Sequence, residues 1–387
     1  MAYDLGDLVT VKHVRDALLR LSNSSGSGGD DSGGDEPGET TGDVYGATWD
    51  GTSTTAFTRT DLAAEFTDPV PYKSGATSYS SPFDNIQPWA GMVRSTDANA
   101  GEVVAIPKFW YKLESYGEGG ISVKIANEQL EGYSVSPAHM DRGDGKGERD
   151  VVYVGRYHCA TSTYKSTTGV KPQASATRAN FRTSIHNLGS NIWQLDFLTR
   201  FTLWLLYIVE FADWNSQAKI GYGCGNNSST ENMGYTDSMP YHTGTTQSER
   251  ETYGLGTQYR NIEGLWDNVY DWIDGCYNDS NGLNIIKTPS SFSDSSGGTC
   301  IGLPVGGYST KLNVSNSAGV PIFYPTEASG GDGSNYTSDG WGFVASGPCV
   351  CGGGSYYRGV NRGLFFLYYY AASSSGGSIG SRLLVLP

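Results

Sequence analysis

The chain has 387 residues, and its 26 Tyr, 13 Phe, 9 Trp and 37% hydrophobic content are enough to bury a sizeable core, which excludes wholesale disorder. A formal net charge of −14 argues against a groove that tracks nucleic-acid phosphates, because such affinity rests on clustered Lys and Arg. The longest apolar stretch, Leu203 to Val209, is fenced by Arg200 and Glu210 and is far short of the ~20 residues of a membrane-spanning helix, so membrane insertion is not expected.

In chain order, Val11, Val14, Leu18 and Leu21 share one helical stripe, which predicts an N-terminal helix within residues 1–21. Two heptads do not hold a lone helix in water, so the stripe needs a partner: copies of itself, a larger assembly, or its own domain. Residues 22–43 contain no aliphatic, aromatic or basic side chain and read as a flexible acidic Gly/Ser linker. Met1 to Asp7 shows no basic segment leading into an apolar one, so no secretory signal is visible and synthesis in a cytoplasm is expected.

Residues 44–387 read as one long domain of short strands and Gly/Ser/Asn/Asp turns. Strands are predicted at Val103–Ile106, Lys108–Lys112, Ile121–Ile125 and Val151–Val154. The dense charge run Asp141–Asp150 offers Asp141, Asp144, Glu148 and Asp150 as calcium ligands. Arg142, Lys146 and Arg149 interleave with them, so a self-neutralising surface hairpin is the favoured reading, and Arg142-Gly-Asp144 is too common a triplet to mean integrin binding. The clearest helix runs from about Ile192 to Phe211, with Trp193, Phe197, Phe201, Trp204, Ile208 and Phe211 at helical spacing, a core stripe rather than a cofactor pocket.

Familiar nucleotide, hydrolase and metalloprotease motifs are absent. The five histidines (13, 139, 158, 186, 242) are never spaced as a local metal clamp and read as satisfied polar residues; no cofactor is expected. The six cysteines (159, 224, 276, 300, 349, 351) are too scattered for a disulfide scaffold and read as buried thiols.

The tail is unusual. Between Gly352 and Gly380, 8 Gly, 5 Ser and 5 Tyr give the composition of a paratope, where Tyr supplies contact area and Ser and Gly supply adaptability. No acid follows Asp339, whereas Arg358, Arg362 and Arg382 do, so this end is locally basic. Strand alternation over Leu364–Tyr370 puts Phe366, Tyr368 and Tyr370 on one face and Phe365, Leu367 and Tyr369 on the other, one to bind and one to pack.

The run from Gly352 through Gly363-Leu-Phe-Phe-Leu367 to Ile379-Gly-Ser-Arg-Leu383 resembles the variable region of proteins diversified by retroelements that replace template adenines at random. In that family a mutated Asn codon yields many residue types, including Tyr, Ser and Gly. Carried over by alignment, the diversified, ligand-binding positions are Ser355, Tyr356, Tyr357, Asn361, Phe366, Tyr368, Tyr370, Ser374, Gly376 and Ser378, with Arg358, Val360, Arg362 and Tyr369 as secondary candidates. Upstream, Gly264-Leu-Trp-Asp-Asn-Val-Tyr-Asp-Trp272 is similar to the signature of the formylglycine-generating-enzyme branch of the C-type lectin fold. The segment Tyr207–Gln217 also matches such variable proteins, and Ile106–Tyr111 and Val135–His139 look like the early part of the same domain. The resemblance implies a loop-rich α+β domain of C-type lectin-like fold.

It also implies a receptor-binding protein of a phage tail fibre: a homotrimer in the virion, with the tail structure and a bacterial surface protein or glycan as partners. A host-encoded surface adhesin with the same domain is the alternative, although no export signal or lipid-attachment cysteine is seen. An enzyme of the formylglycine-generating type is the least favoured reading, since Cys349-Val-Cys351 comes with no recognisable base.

Overall fold

The computed structural model describes residues 42–73, 78–224, 228–244, 256–330, 333–343, 347–359 and 361–387. The helix expected within 1–21 and nearly all of the linker expected over 22–43 lie outside the described residues. Gly42–Pro387 forms a single unit.

Its centre is the helix Phe197–Phe211, in which all fifteen residues are buried. The expected aromatic stripe is therefore only part of an all-round apolar surface, as a helix wrapped on every side requires. The helix starts later than its periodicity suggests because Asp196 caps it, accepting from the Thr199 amide at 2.8 Å. Ile192–Gln194 instead forms a strand against Leu383–Val385, and Trp193 stacks on His186 with centroids 4.0 Å apart. Ala212, left-handed at φ 49°, ends the helix with its amide on the Ile208 carbonyl.

Strand makes up 35% of the structure and helix 11%, a mostly β, loop-rich arrangement compatible with the α+β class. One antiparallel sheet has the order Thr58–Asp61, Val44–Trp49, Gly120–Ala126, Trp110–Tyr116, Ser134–Val135. Alternation sends Tyr45, Ala47, Trp49, Ile121, Val123 and Ile125 into the core. A second sheet, ordered Ile192–Gln194, Leu383–Val385, Val151–Gly155, Gly101–Pro107, Arg94–Asp97, places the last strand of the chain inside the domain. The four predicted strands all fall within observed ones, except that Lys108 and Phe109 precede the strand Trp110–Tyr116.

The third sheet carries the tail. Its seven strands run Ile322–Ser329, Gly307–Ser315, Gly340–Gly342, Leu367–Tyr370, Cys349–Gly352, Tyr270–Ile273, Ile379–Ser381. The Trp-Asp-Asn-Val-Tyr-Asp-Trp segment thus supplies an inner strand between two tail strands. Trp266 and Trp272 are buried, donating their indole N–H to the carbonyls of Gly221 at 3.0 Å and Ala176 at 3.1 Å.

Most charges of the 141–150 run stay at the surface, and only Arg142 and Arg149 are buried. Asp144 pairs with Arg149, and Lys108 bridges Asp150 at 2.6 Å and Glu148 at 3.9 Å. Arg142 turns inward to Asp196 and the Lys287 carbonyl and is fully buried, so the Arg-Gly-Asp triplet is not displayed and the run is not wholly a surface hairpin. Among the described residues no helix is long and apolar enough to cross a membrane.

Candidate ligand-binding face of the tail

The tail is clamped by residues outside it. Cys349–Gly352 pairs antiparallel with Tyr270–Ile273 on one side and with Leu367–Tyr370 on the other. The chain then turns at Gly353, whose φ of 81° and whose approach to the Leu265 carbonyl (2.3 Å from where a Cβ would stand) require glycine. The Asp339 carboxylate accepts the amides of Gly363 at 2.6 Å and Phe365 at 3.0 Å. Burial pushes its pKa up to about 6. The Leu364 carbonyl accepts from the Trp204 indole at 2.9 Å and the Arg200 guanidinium at 2.8 Å. Tyr356 donates its amide to the Asn268 carbonyl at 2.9 Å. The backbone of the tail is thus held by Asp339, Arg200, Trp204 and Asn268 through contacts to its main chain rather than to its outward side chains.

Those side chains divide by face. Phe365, Leu367 and Tyr369 are buried, and Phe365 packs on Trp204, Tyr207 and Trp214 of the central region. Tyr368 and Tyr370 stand partly exposed on the opposite face with centroids 4.8 Å apart, Tyr370 edge-on to Trp272. The two-residue alternation holds only for Leu367–Tyr370, because Gly363–Phe366 is a turn in which the Phe366 amide reaches the Gly363 carbonyl.

Phe366 and Ser355, both assigned to the contact surface by alignment, are consequently buried, at 3% and 2% exposure. Phe366 forms a floor: the Arg362 guanidinium lies 4.1 Å above its ring, with Tyr270 and Tyr368 on its flanks. Tyr369, a secondary candidate, belongs to the core, and Val360 lies outside the described residues. Tyr357 is 43% exposed and packs against Tyr356 on one side and under the exposed Arg358 guanidinium at 4.6 Å. Asn361 sits left-handed at φ 74° beside Gly333. Ser374, Gly376 and Ser378 lie partly exposed in the loop that returns to the sheet, where the Ser378 carbonyl accepts the Tyr270 amide.

The local basicity is smaller than composition suggests. Arg382 is fully buried, donating to the carbonyls of Gly155 at 2.8 Å and Glu263 at 2.6 Å, which leaves Arg358 and Arg362 near the face. Burial raises the pKa of the Tyr370 hydroxyl, which keeps it a neutral donor near pH 7. The result is an aromatic surface edged by two guanidiniums, with hydroxyl donors and acceptors. Cys349 and Cys351 are both fully buried, and burial pushes both thiols up, Cys349 to about 11.

Sequence reasoning missed Tyr270 as part of the floor and Asp339 as a clamp. Alternation from Trp272 marks Tyr270 as a strand neighbour of the tail, while nothing local to Asp339 announces its role. The four described histidines are all engaged: His139 with Ser136 and Ile106, His158 with Asp271, His186 with Ile192, and His242 with Glu210. Among the described residues no group of His, Cys, Asp and Glu is arranged to hold a metal ion. Compared with known proteins, the chain matches no family model and no curated protein.

Proposed function

We propose that this chain is a retroelement-diversified receptor-binding protein of a phage tail fibre, with a C-type lectin-like domain. Its partly exposed Tyr356, Tyr357, Tyr368 and Tyr370 engage a protein or glycan on a bacterial surface. The observation that carries this reading is the division within four residues of one strand: Leu367 and Tyr369 are spent on the core, Tyr368 and Tyr370 on the surface. Such a strand tolerates replacement on one face without loss of the other, which a diversified binding site requires. The face is rich in rigid amphipathic rings, the groups that anchor binding hot spots. Trimerisation would present several copies of a weak site and gain avidity. Neither a resident cofactor nor catalysis is part of this reading, and the inaccessible Cys349 and Cys351 support it over a thiol enzyme.

The test is whole-cell binding by the fluorescently labelled full chain across a panel of bacteria. The reading expects binding to a subset of strains, lost in Tyr356→Ser and Tyr368→Ser while the melting temperature hardly moves. Binding untouched by both substitutions would overturn it. In the gene's surroundings, the same reading expects a near-identical copy of the 3′ end beside a reverse transcriptase, differing only at adenines.

A further inference from the structure

A concave surface lies on the outward face of the sheet that contains Val44–Trp49. Cross-strand register aligns Thr58, Thr48, Ser122 and Glu114 in one row across four strands. The Thr48 hydroxyl donates to Ser122 at 3.3 Å, and the strands that carry the row lie about 4.8 Å apart. The adjoining row sets Thr60 opposite Gly46, where a side chain on Gly46 would come within 2.3 Å of the Thr60 hydroxyl oxygen.

The loop 50–57 closes one end of this face and adds Asp50, Thr52 and Thr54, while Tyr116 stands 49% exposed at its margin. Together they line a cleft of about 400 Å³. The loop is held in advance of any ligand. Trp49 donates its indole N–H to the Thr54 carbonyl at 2.9 Å, the Trp214 amide reaches the Thr55 carbonyl at 2.9 Å, and the Phe57 amide the Ala212 carbonyl at 2.8 Å.

The chemistry of the lining selects a ligand class. Five threonines offer hydroxyls that both donate and accept. Asp50 is the one charged lining residue, and the Thr52 hydroxyl and amide hold its carboxyl below the ordinary range, so it is a charged acceptor at neutral pH. With a carboxylate and no Lys or Arg among the described lining residues, an anion is disfavoured. Tyr116 supplies an apolar platform with a polar rim. A peptide would ask for backbone partners along an edge, whereas this surface presents side-chain alcohols on a face.

We propose that the cleft binds one ring of a neutral glycan, with Tyr116 against a C–H face of the sugar, Asp50 accepting from its hydroxyls, and Thr48, Thr52, Thr54 and Thr58 completing the hydrogen bonds. The cleft shares no residue with the aromatic face of the tail and its sheet is a different one, so this site stands or falls independently of the tail's function.

The experiment is ligand-observed saturation-transfer NMR on the full chain with methyl β-galactoside, methyl β-glucoside, methyl α-mannoside and N-acetylglucosamine, with glucuronate as the anionic control. At least one neutral sugar should saturate in the millimolar range and glucuronate should not. Tyr116→Ala and Asp50→Asn should each weaken that sugar about tenfold. Thr58→Val, at an exposed position, should weaken it with an unchanged melting temperature and so guards against loss of fold as the cause. Tyr368→Ser should leave it unaffected. The proposal is overturned if no neutral sugar saturates, if binding survives both Tyr116→Ala and Asp50→Asn, or if Tyr368→Ser abolishes it, which would place the sugar on the tail.

Discussion

Tyr369 and Tyr370 are neighbours in one strand and occupy different media: Tyr369 is 2% exposed with its ring against Phe343, while Tyr370 lies partly exposed, edge-on to Trp272. Stability and recognition are therefore separable by substitution. Tyr368→Ser removes a partly exposed ring that packs on the margin of the core and should move the urea midpoint far less than loss of a fully buried ring. Phe365→Ala empties a site bordered by Trp204, Tyr207 and Trp214 and should cost about 3–5 kcal/mol. Equal losses for the two variants would show that the outward rings are core after all.

Much of this arrangement was legible in the sequence because it rests on period. The alternation of Leu367–Tyr370, the strands at 103–106 and 121–125 and the aromatic run ending at Phe211 each carry their pattern within a few residues. What was not legible depended on contacts distant in sequence. Phe366 reads as a surface residue by alternation, but the turn at Gly363, held by Asp339, rotates it into a floor beside Tyr270. Arg382 reads as a surface charge until the strand that follows it is seen threaded between Val151–Gly155 and Ile192–Gln194. The helix start at Phe197 was obscured because Trp193 continues the helical spacing while pairing in a strand. The threonine cleft was invisible because its rows are assembled across strands, with no short-range signature.

His139 gives a pH dependence with a definite sign. Its Nε2–H donates to the Ile106 carbonyl at 2.8 Å and its Nδ1 accepts from the Ser136 hydroxyl at 2.6 Å, a neutral tautomer. Burial depresses its pKa to about 4 from 6.5. Between those values the unfolded chain binds a proton that the native state refuses, so stability from this residue is complete above pH 6.5. It declines as the pH falls towards 4, by on the order of 3 kcal/mol. Glu263, raised by burial to about 7, acts in the opposite direction over part of this range. The measurement is therefore the difference between the native chain and His139→Gln in urea unfolding at each pH. That difference should shrink as the pH is lowered from 6.5 to 4, and a constant difference would refute the assignment.

The thiols provide a check that needs no ligand. Cys159, Cys224, Cys276, Cys349 and Cys351 are buried, and burial raises the pKa of each, whereas Cys300 is partly exposed. An aromatic disulfide reagent should modify one thiol quickly in the native protein and the other five only on unfolding. Cys300→Ser should remove the fast phase. A fast phase that disappears in Cys351→Ser instead would revive the thiol-enzyme reading.

Arg382 joins three parts of the domain through one guanidinium. It donates to the carbonyls of Gly155 at 2.8 Å, Arg156 at 2.9 Å and Glu263 at 2.6 Å, and it faces the Asp271 carboxylate at 3.4 Å. The other Asp271 oxygen contacts His158 Nδ1 at 2.9 Å. Removing the guanidinium orphans buried carbonyls and leaves Asp271 with less compensation for its burial. Arg382→Met should therefore destabilise by about 3–5 kcal/mol despite keeping an apolar side chain of some length. Arg382→Lys should recover only part of the loss, since one ammonium does not reproduce the planar fork that spans these acceptors. Urea unfolding of the three proteins decides the matter: full recovery by lysine would mean that charge alone, and not the geometry of the fork, holds the last strand in place.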